Sequence, residues 1–380
     1  MLIEHVRYYS QTWFVSILVR NPTSSQNISL WTAGIQSTSA ELKVDKTHLN
    51  PSRFIHIKNM SGIKVVFGGG GINPGRTFGE PDLLKTKVFQ LLKDGSCETI
   101  DTAALYGKSE EILGQTQAAS HFTIDTKTRG GFSPNGGASQ DNVLTEARNS
   151  KEKLGSNVDV YYIHAPDSNV PLDETLSAIN EVYKSGFFKR FGLSNYKAED
   201  VEKVYNHCKE KGYVLPSVYQ GNYSAVARKQ ETVLFPTLRK LGIAFYAYSP
   251  LAGGFLTKSK EQIEKGAGRF NNPDNPISSM YSTMYAKPAY IKALEQWEAI
   301  AKEESVSRAE LAYRWVRYNS PLTAAQGDAI IIGASSVEQL QDTLGWINNG
   351  PISEGAVKKI DELWKTIKHE APLDNYNMKG

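Results

Sequence analysis

From residue 63 onward, apolar residues form short runs rich in β-branched and aromatic side chains. Most of these runs precede a longer stretch with apolar residues at helical spacing. The short runs predict the strands Lys64–Phe67, Thr99–Thr102, Phe122–Lys127, Val158–His164, Phe188–Leu193, Ser217–Tyr219, Ile243–Tyr248 and Ala329–Ile332. The longer stretches predict the helices Pro81–Lys93, Ser109–Gln117, Asp141–Leu154, Leu172–Ser185, Ala198–Lys211, Glu231–Leu241, Lys292–Glu304, Arg308–Asn319, Val337–Leu344 and Glu354–Ile367.

Strands that alternate with helices pair in parallel, because parallel neighbours need a crossover connection. Eight such units over roughly 300 residues are typical of a closed (β/α)8 TIM barrel. An open, doubly wound sheet is the alternative, and it usually carries G-x-G-x-x-G after its first strand. The glycines at 68–71 do not fit that motif, since the sixth position is Asn73 or Pro74. We therefore predict one α/β barrel domain over residues 63–380 and interpret these glycines as a tight turn at its mouth.

Residues 1–62 have a different character. They are rich in serine and threonine, poor in acidic residues, and lack a clean helical or strand period. We expect a poorly ordered N-terminal extension or a wrongly assigned start. A transit peptide is the alternative, although the arginines there are few, namely Arg7, Arg20 and Arg53.

The composition is that of an ordinary globular protein, with 40% hydrophobic and 22% charged residues and a formal net charge of +3. That charge is too small to indicate nucleic acid or a membrane surface as a partner. No apolar stretch approaches the ~18 residues that span a bilayer. Cys97 and Cys208 lie far apart without metal-ligand spacing, which favours a reducing compartment. We expect a cytoplasmic protein.

Polar residues end several predicted strands, where a barrel carries its chemistry. Asp101 ends the second strand and Tyr106 follows it, while Lys127 ends the third and His164 the fourth. Taken singly, Asp101 fits a helix cap or a buried ion-pair partner, and Lys127 fits a rim lysine. Tyr106 and His164 each fit a core position. Because adjacent strands bring complementary charges to one mouth, we predict that the four act together.

This group suits the reduction of a carbonyl, in which the oxygen needs a proton as hydride arrives. A free tyrosine has a pKa of about 10, too high for an efficient acid near neutrality. We expect the ammonium of Lys127 to lower the pKa of Tyr106, and Asp101 to hold that lysine charged. His164 would hydrogen-bond the substrate oxygen. No metal is required, and the sequence contains no H-E-x-x-H, G-x-S-x-G or P-loop motif.

These four residues resemble the catalytic tetrad of the aldo-keto reductases in order and in strand position. Further segments resemble the core motifs of that family and narrow the resemblance to its aflatoxin-aldehyde-reductase branch. They are Val158–Asp167, Gly192–Tyr196, Val218–Gln220, Phe245–Gly254 and Ile332–Leu340. The resemblance covers residues 63 to about 370 and implies a (β/α)8 barrel that binds NADPH and reduces aldehydes and some ketones.

The resemblance also implies a set of cofactor contacts. Ser194, Asn195 and Gln220 would hold the nicotinamide carboxamide, and Tyr248 would stack on the ring. The segment from Ser249 to Thr257, with Leu251 and Gly253, would line the pyrophosphate, and Arg269 would close over the cofactor from the long loop after the seventh strand. The adenosine end would be flanked by Ser335, Ser336, Gln339 and Thr343. Because Ala334 and Gln339 stand where the family often has a basic residue, we predict only a moderate preference for NADPH.

Two other functions stay open beside reduction. One is a nucleotide-binding regulatory barrel that resembles channel β-subunits, against which the intact tetrad argues. The other is an alcohol dehydrogenase that works in the oxidative direction. As partners we expect a small-molecule carbonyl substrate and, as an option, a second copy of the chain in a homodimer. The regions Gly130–Ser139 and Glu370–Gly380 look individual to this sequence, and we expect them to select the substrate.

Overall fold

The computed structural model describes residues 2–9, 12–20, 28–36, 62–134, 136–270 and 274–378. Two units separate along the chain, at 1–57 and 58–380. In the first, the strands β1 (Leu2–Tyr9), β2 (Thr12–Arg20) and β3 (Ile28–Gln36) form an antiparallel sheet in that order. The sequence pattern did not predict these strands. Part of the N-terminal extension that was expected to be poorly ordered lies outside the described residues. The predicted domain boundary after residue 62 stays a prediction.

The second unit is a closed barrel of parallel strands, in the order β4 to β11 around the ring, as predicted. Its strands are β4 (Lys64–Gly68), β5 (Thr99–Asp101), β6 (Thr123–Thr128), β7 (Val158–Ile163), β8 (Phe188–Ser194), β9 (Pro216–Asn222), β10 (Ala244–Tyr248) and β11 (Ala329–Ile332). The predicted (β/α)8 fold is confirmed.

Helices alternate with these strands and pack outside them. They are α1 (Pro81–Leu83), α2 (Phe89–Asp94), α3 (Ser109–Gln115), α4 (Gln140–Leu154), α5 (Leu172–Lys184), α6 (Ala198–Lys211), α7 (Gln230–Val233), α8 (Phe235–Leu241), α9 (Lys260–Glu264), α10 (Pro276–Tyr285), α11 (Pro288–Glu303), α12 (Arg308–Arg314), α13 (Val337–Trp346) and α14 (Glu354–Ile367). Two π-helical turns, Leu84–Val88 and Trp315–Asn319, continue helices that the pattern predicted as single. No helix in the described ranges is long and apolar enough to cross a membrane.

The helices α9 and α10 were not predicted, and the predicted helix Glu231–Leu241 is interrupted. The first turn of α9 carries a capping box of Ser259 with Gln262, and Asn275 caps α10. Serine, threonine and tyrosine dominate α10, and their weak helix propensity hides it in the sequence. The interruption falls at Leu234, because Pro236 fits only the first turn of a new helix.

Two separate hydrophobic cores support the barrel. A small interior core is formed entirely by strand residues, among them Val66, Val160, Tyr162 and Tyr246. A larger core fills the layer between strands and helices. The glycines after β4 form the predicted tight turn, at Gly69–Gly71. A Cβ atom at Gly69 would lie 2.8 Å from the carbonyl oxygen of Asp101, so the turn packs directly on the end of β5.

We predict that the barrel folds without residues 1–60, because all eight of its strands find their pairing partners between residues 64 and 332. The melting temperature of a chain shortened by these residues should change by less than about 2 °C, which corresponds to about 1 kcal/mol for a domain of this size. Differential scanning calorimetry of the full and shortened chains measures this. A larger drop would mean that the N-terminal segment stabilises the barrel.

Candidate active site

Strand β6 sends alternate side chains to opposite faces, which fixes the direction of Lys127. The hydroxyls of Thr126 and Thr128 point outward and donate to Glu110 of α3 and Glu146 of α4, each at 2.6 Å. Lys127, between them, therefore points into the barrel, where it is fully buried. A rim position for this lysine is excluded.

Inside the barrel, Lys127 forms an ion pair with Asp101 at the end of β5. Its Nζ donates to both carboxylate oxygens, at 2.6 and 2.7 Å, and to the carbonyl oxygen of Thr102 at 2.7 Å. These acceptors take all three donor hydrogens of the ammonium. The Nε2 atom of Gln220, on β9, donates to the same carboxylate at 2.9 Å. Hydrogen bonds among groups from β5, β6 and β9 thus fix the positions of the Lys127 ammonium and the Asp101 carboxylate.

Tyr106 lies in the turn that follows β5, beside this ion pair. The Nζ of Lys127 is 5.2 Å from the centroid of its ring. Burial raises the pKa of Tyr106 well above its ordinary value, and the negative charge of Asp101 raises it further. The predicted net lowering of the Tyr106 pKa is therefore wrong, because burial of the phenol and the charge of Asp101 outweigh the effect of the Lys127 ammonium. The phenol is a neutral acid over the whole neutral range.

His164 follows β7 and borders the same space. Its ring lies edge-on to Tyr106, with 5.6 Å between the centroids, and to Phe132, with 5.0 Å. Burial lowers the pKa of His164 well below its usual range, and the charge of Lys127 lowers it further. Its Nδ1 atom is buried without a hydrogen-bond partner. A neutral imidazole of this kind carries one N–H donor.

Aromatic side chains continue from His164 toward the rim. Phe132 packs edge-on against Tyr376 of the C-terminal tail, with 5.3 Å between ring centroids. Leu105, beside Tyr106 in the chain, is exposed. The sequence predicted that the regions Gly130–Ser139 and Glu370–Gly380 select the substrate. It did not single out Phe132 or Tyr376, since only the folded chain brings positions 132 and 376 together.

Of the residues predicted to hold the nicotinamide, Gln220 lies on β9, and Ser194, Asn195 and Tyr248 lie at the ends of β8 and β10. Asn195 Nδ2 donates to the carbonyl oxygen of His164 at 2.9 Å and to Ser194 Oγ at 3.1 Å. The hydroxyl of Tyr248 donates to Asn195 Oδ1 at 2.7 Å. The tail reaches the same place, since Asn377 Nδ2 donates to the main-chain oxygen of Asn195 at 3.0 Å. The structure thus brings Ser194, Asn195 and Tyr248 together beside His164.

A second group surrounds the loop after β10. The φ angle of Ser249 is 55° and that of Gly253 is 69°, and Leu251 lies between them, partly buried. The hydroxyls of Ser249 and Tyr281 are 3.1 Å apart, and the guanidinium of Arg269 lies 5.0 Å from the Tyr281 ring centroid. Arg269 thus lies beside Tyr281, whose hydroxyl reaches this loop, and its predicted closing over a cofactor stays a prediction.

The third group, at the start of α13, is bonded mainly within itself. Ser336 caps the helix by accepting from the main-chain N–H of Gln339 at 3.2 Å. The main-chain N–H and the hydroxyl of Ser335 donate to Gln339 Oε1, at 3.0 and 2.7 Å. Thr343 is buried and hydrogen-bonds Tyr313. Thr343 therefore lies in a packing position, whereas the two serines and Gln339 lie at the surface or near it.

Sequence reasoning missed two charged residues at this helix start. The carboxylate of Glu338 bonds its own main-chain N–H and Ser336, which lowers its pKa, and Lys87 adds a weaker effect in the same direction. Lys87, in the helix after the first barrel strand, thus lies close enough to act on this helix start. No motif points to it, because the proximity arises only when the ring of strands closes.

A sequence model of the Aldo/keto reductase family matches residues 64–365. The chain belongs to this family. The family predicted from the tetrad and the core motifs is thereby confirmed.

The curated relatives of this aldo/keto reductase cover most of its length. Oxidoreductase sirO of Leptosphaeria maculans is 39% identical over 310 residues, which are 78% of this chain and 93% of sirO. Aflatoxin B1 aldehyde reductase member 4 of Homo sapiens is 36% identical over 322 residues, 80% of this chain and 95% of its own. Member 2 of Rattus norvegicus is 36% identical over 287 residues, 72% and 78% of the two chains. The predicted likeness to the aflatoxin-aldehyde-reductase branch is confirmed, and the protein is an oxidoreductase of aldehydes or ketones.

We predict that Lys127→Met lowers the free energy of unfolding of this aldo/keto reductase by about 3–5 kcal/mol, because it leaves the Asp101 carboxylate buried without its cation. Urea unfolding followed by fluorescence measures the loss. The double variant Asp101→Asn/Lys127→Met should recover part of it, and Lys211→Met, at an exposed end of α6, is the matched control. A Lys127→Met loss no larger than that of the control would mean that the pair contributes little to stability.

Proposed function

We propose that this aldo/keto reductase uses NADPH to reduce aldehydes and ketones to alcohols, with Tyr106 as the proton donor. The observation that carries the proposal is the neutral phenol of Tyr106 beside the buried Asp101–Lys127 pair and the neutral imidazole of His164. A proton donor, a hydrogen-bond donor for the substrate oxygen and a fixed positive charge meet in one space. The three are what a carbonyl needs as it becomes an alcohol.

When bound, NADPH supplies the hydride that the carbonyl carbon accepts. His164 donates a hydrogen bond to the carbonyl oxygen and orients it, since its depressed pKa keeps the ring neutral. Tyr106 donates its hydroxyl proton to the same oxygen and becomes a phenolate. Lys127 stabilises that phenolate through its charge, 5.2 Å from the ring centroid, while Asp101 and Thr102 hold the ammonium in place.

The donor groups at the mouth support a dinucleotide with a carboxamide and phosphates. Asn195 and Gln220 each present an amide, which matches a carboxamide in donors and acceptors. The loop after β10, with the Ser249 hydroxyl and the turn at Gly253, lies near the Tyr281 hydroxyl and Arg269. These groups suit a pyrophosphate. Asn195 and Ser249 have φ angles of 61° and 55°. Such strain at strand ends is typical of binding sites. We assign Leu251 to the wall of this loop and Thr343 to the support of α13.

Two features bear on the choice of NADPH over NADH. The N-terminus of α13, with Ser335 and Ser336, suits a phosphate through its free N–H groups and dipole. Against it, the carboxylate of Glu338 already bonds Ser336, so a 2′-phosphate would have to displace a negative charge. We therefore propose a moderate preference, of about tenfold, which is worth about 1.4 kcal/mol. Arg269 would supply the positive charge.

The aromatic side chains of Phe132 and Tyr376 at the rim support a small carbonyl substrate with an apolar or aromatic body.

A homodimeric assembly and a location in the cytoplasm stay predictions from the sequence. Light scattering on the purified protein tests the assembly. Loss of NADPH absorbance with a nitrobenzaldehyde tests the activity itself. Turnover only with an alcohol and NADP+ would support the oxidative direction, and absence of turnover in both directions would support the regulatory barrel.

We predict that Tyr106→Phe lowers kcat by about a hundredfold or more, because it removes the proton that the alkoxide needs. The ring remains, so the Kd for NADPH, measured by quenching of intrinsic fluorescence, should change less than about twofold. Tyr183→Phe, on the exposed face of α5, is the matched control. A kcat within a few-fold of wild type would assign the proton to another group.

We predict that Arg269→Ala weakens NADPH binding more than NADH binding, by about tenfold in the ratio of the two Kd values, since a charge-assisted bond to the 2′-phosphate would be lost. Fluorescence quenching measures both constants, with Arg148→Ala on the exposed face of α4 as control. Equal losses for the two nucleotides would place Arg269 on the pyrophosphate instead.

A further inference from the structure

A second carboxylate lies inside the barrel close to the ion pair. Asp125 stands two residues before Lys127 on β6, and side chains two apart share one face of a strand. It therefore points into the barrel, where it is fully buried. Asp125 is also the register partner of Asp101 on β5. Two carboxylates on neighbouring strands thus face the barrel interior at the same level, with Lys127 bonded to only one of them.

The hydrogen bonds of Asp125 are incomplete. Its Oδ1 accepts from the main-chain N–H of Val160 at 3.1 Å, whereas its Oδ2 is buried without a partner. Among the buried oxygens without a partner, two more lie at inward-facing positions of neighbouring strands, the hydroxyls of Thr99 on β5 and Tyr162 on β7. A bare carboxylate oxygen in such a place is costly, but the O–H of a neutral acid can donate to a nearby hydroxyl.

Charged and titratable groups on several strands act on Asp125. Asp101 and Asp159 oppose its ionisation, Lys64 and Arg190 favour it, and Tyr162 and Tyr246 lie in the same interior core. Burial is the largest influence, and together these effects raise the pKa of Asp125 to about 7. Arg190 is itself bonded to Asp159, at 2.7 Å, and to the hydroxyl of Tyr246, at 3.0 Å, so it offers Asp125 no direct hydrogen bond.

We propose that Asp125 is a positioning residue for the reduction: as a neutral acid it leaves Asp101 the single anionic partner of Lys127, and as a carboxylate it adds a second negative charge beside Asp101, in the ion pair that borders Tyr106. This inference rests on the proposed function. Proton donation converts Tyr106 into a phenolate, and a second negative charge in the interior disfavours that phenolate. Reduction therefore slows as Asp125 ionises, through the charge on Asp125 and not through any contact with the substrate.

The kinetic test compares wild type with Asp125→Asn, which keeps the acceptor for Val160 but carries no charge. The rate of hydride transfer is measured in single turnovers at saturating NADPH and aldehyde. Between about pH 6 and pH 8 the wild-type rate should fall by at least about threefold, whereas the rate of Asp125→Asn should stay level.

Tyr106 and His164 do not titrate in this interval, since the pKa of Tyr106 lies above it and the pKa of His164 lies below it. Asp141→Asn, exposed at the start of α4, is the matched control and should follow wild type. The same pH dependence in Asp125→Asn and wild type would overturn the proposal.

A second test needs no activity. A carboxyl group whose pKa is raised in the folded state binds more protons there than in the unfolded chain, so its contribution to stability is lost as the pH rises. The melting temperature of Asp125→Asn relative to wild type should therefore increase from about pH 5 to pH 7 and level off above the folded pKa. A difference that does not change with pH would overturn the ionisation and the proposal with it. If this difference in melting temperature changes with pH but the protein reduces no carbonyl, the proposed function is overturned, whereas the ionisation of Asp125 is confirmed. If Asp125→Asn does not fold, Asp125→Ser replaces it in both tests.

Discussion

The buried ion pair between Asp101 and Lys127 is the interaction on which the rest of the site depends. An ammonium in a barrel interior is costly unless each of its hydrogens finds an acceptor, and here two carboxylate oxygens and one carbonyl supply them. Gln220 reaches the same carboxylate although 119 residues separate it from Asp101. The closed ring makes this possible, because it brings β9 to face β5. Tyr106 then lies next to a positive charge that has no freedom to move.

The C-terminal tail contacts the ends of β8 and β10. Asp374 is fully buried and accepts from the main-chain N–H groups of Tyr376 and Asn377, at 2.9 and 2.5 Å. The folded tail donates to Asn195 through Asn377 and to the hydroxyl of Tyr248 through a main-chain N–H, at 3.2 Å. The same segment carries Tyr376 to the rim. One turn of the tail thus holds two proposed nicotinamide contacts and Tyr376, so under the proposed function it would touch both the cofactor and the substrate.

The sequence predicted what depends on local pattern. All eight barrel strands and the helices α6 and α14 were expected where they occur, because their apolar period is strong and their ends carry turn residues. The position of Lys127 followed from the end of its strand. The rest depends on contacts between distant parts of the chain: the pairing of Phe132 with Tyr376, and the state of Tyr106. Its pKa is raised first by burial of the phenol and then by the charge of Asp101, and both depend on how the closed barrel surrounds the ring.

The start of α13 explains why a moderate cofactor preference is the consistent expectation. A helix N-terminus attracts an anion, and a bound phosphate would compete there with the carboxylate of Glu338, which the protein already holds on Ser336. Ser335 is likewise bonded to Gln339, so its hydroxyl must change partner to reach a ligand. Each exchange replaces one hydrogen bond with another and gains little free energy. Under the proposed function, discrimination between the two nucleotides would therefore depend on the positive charges of Arg269, near the loop after β10, and of Lys87, beside the helix.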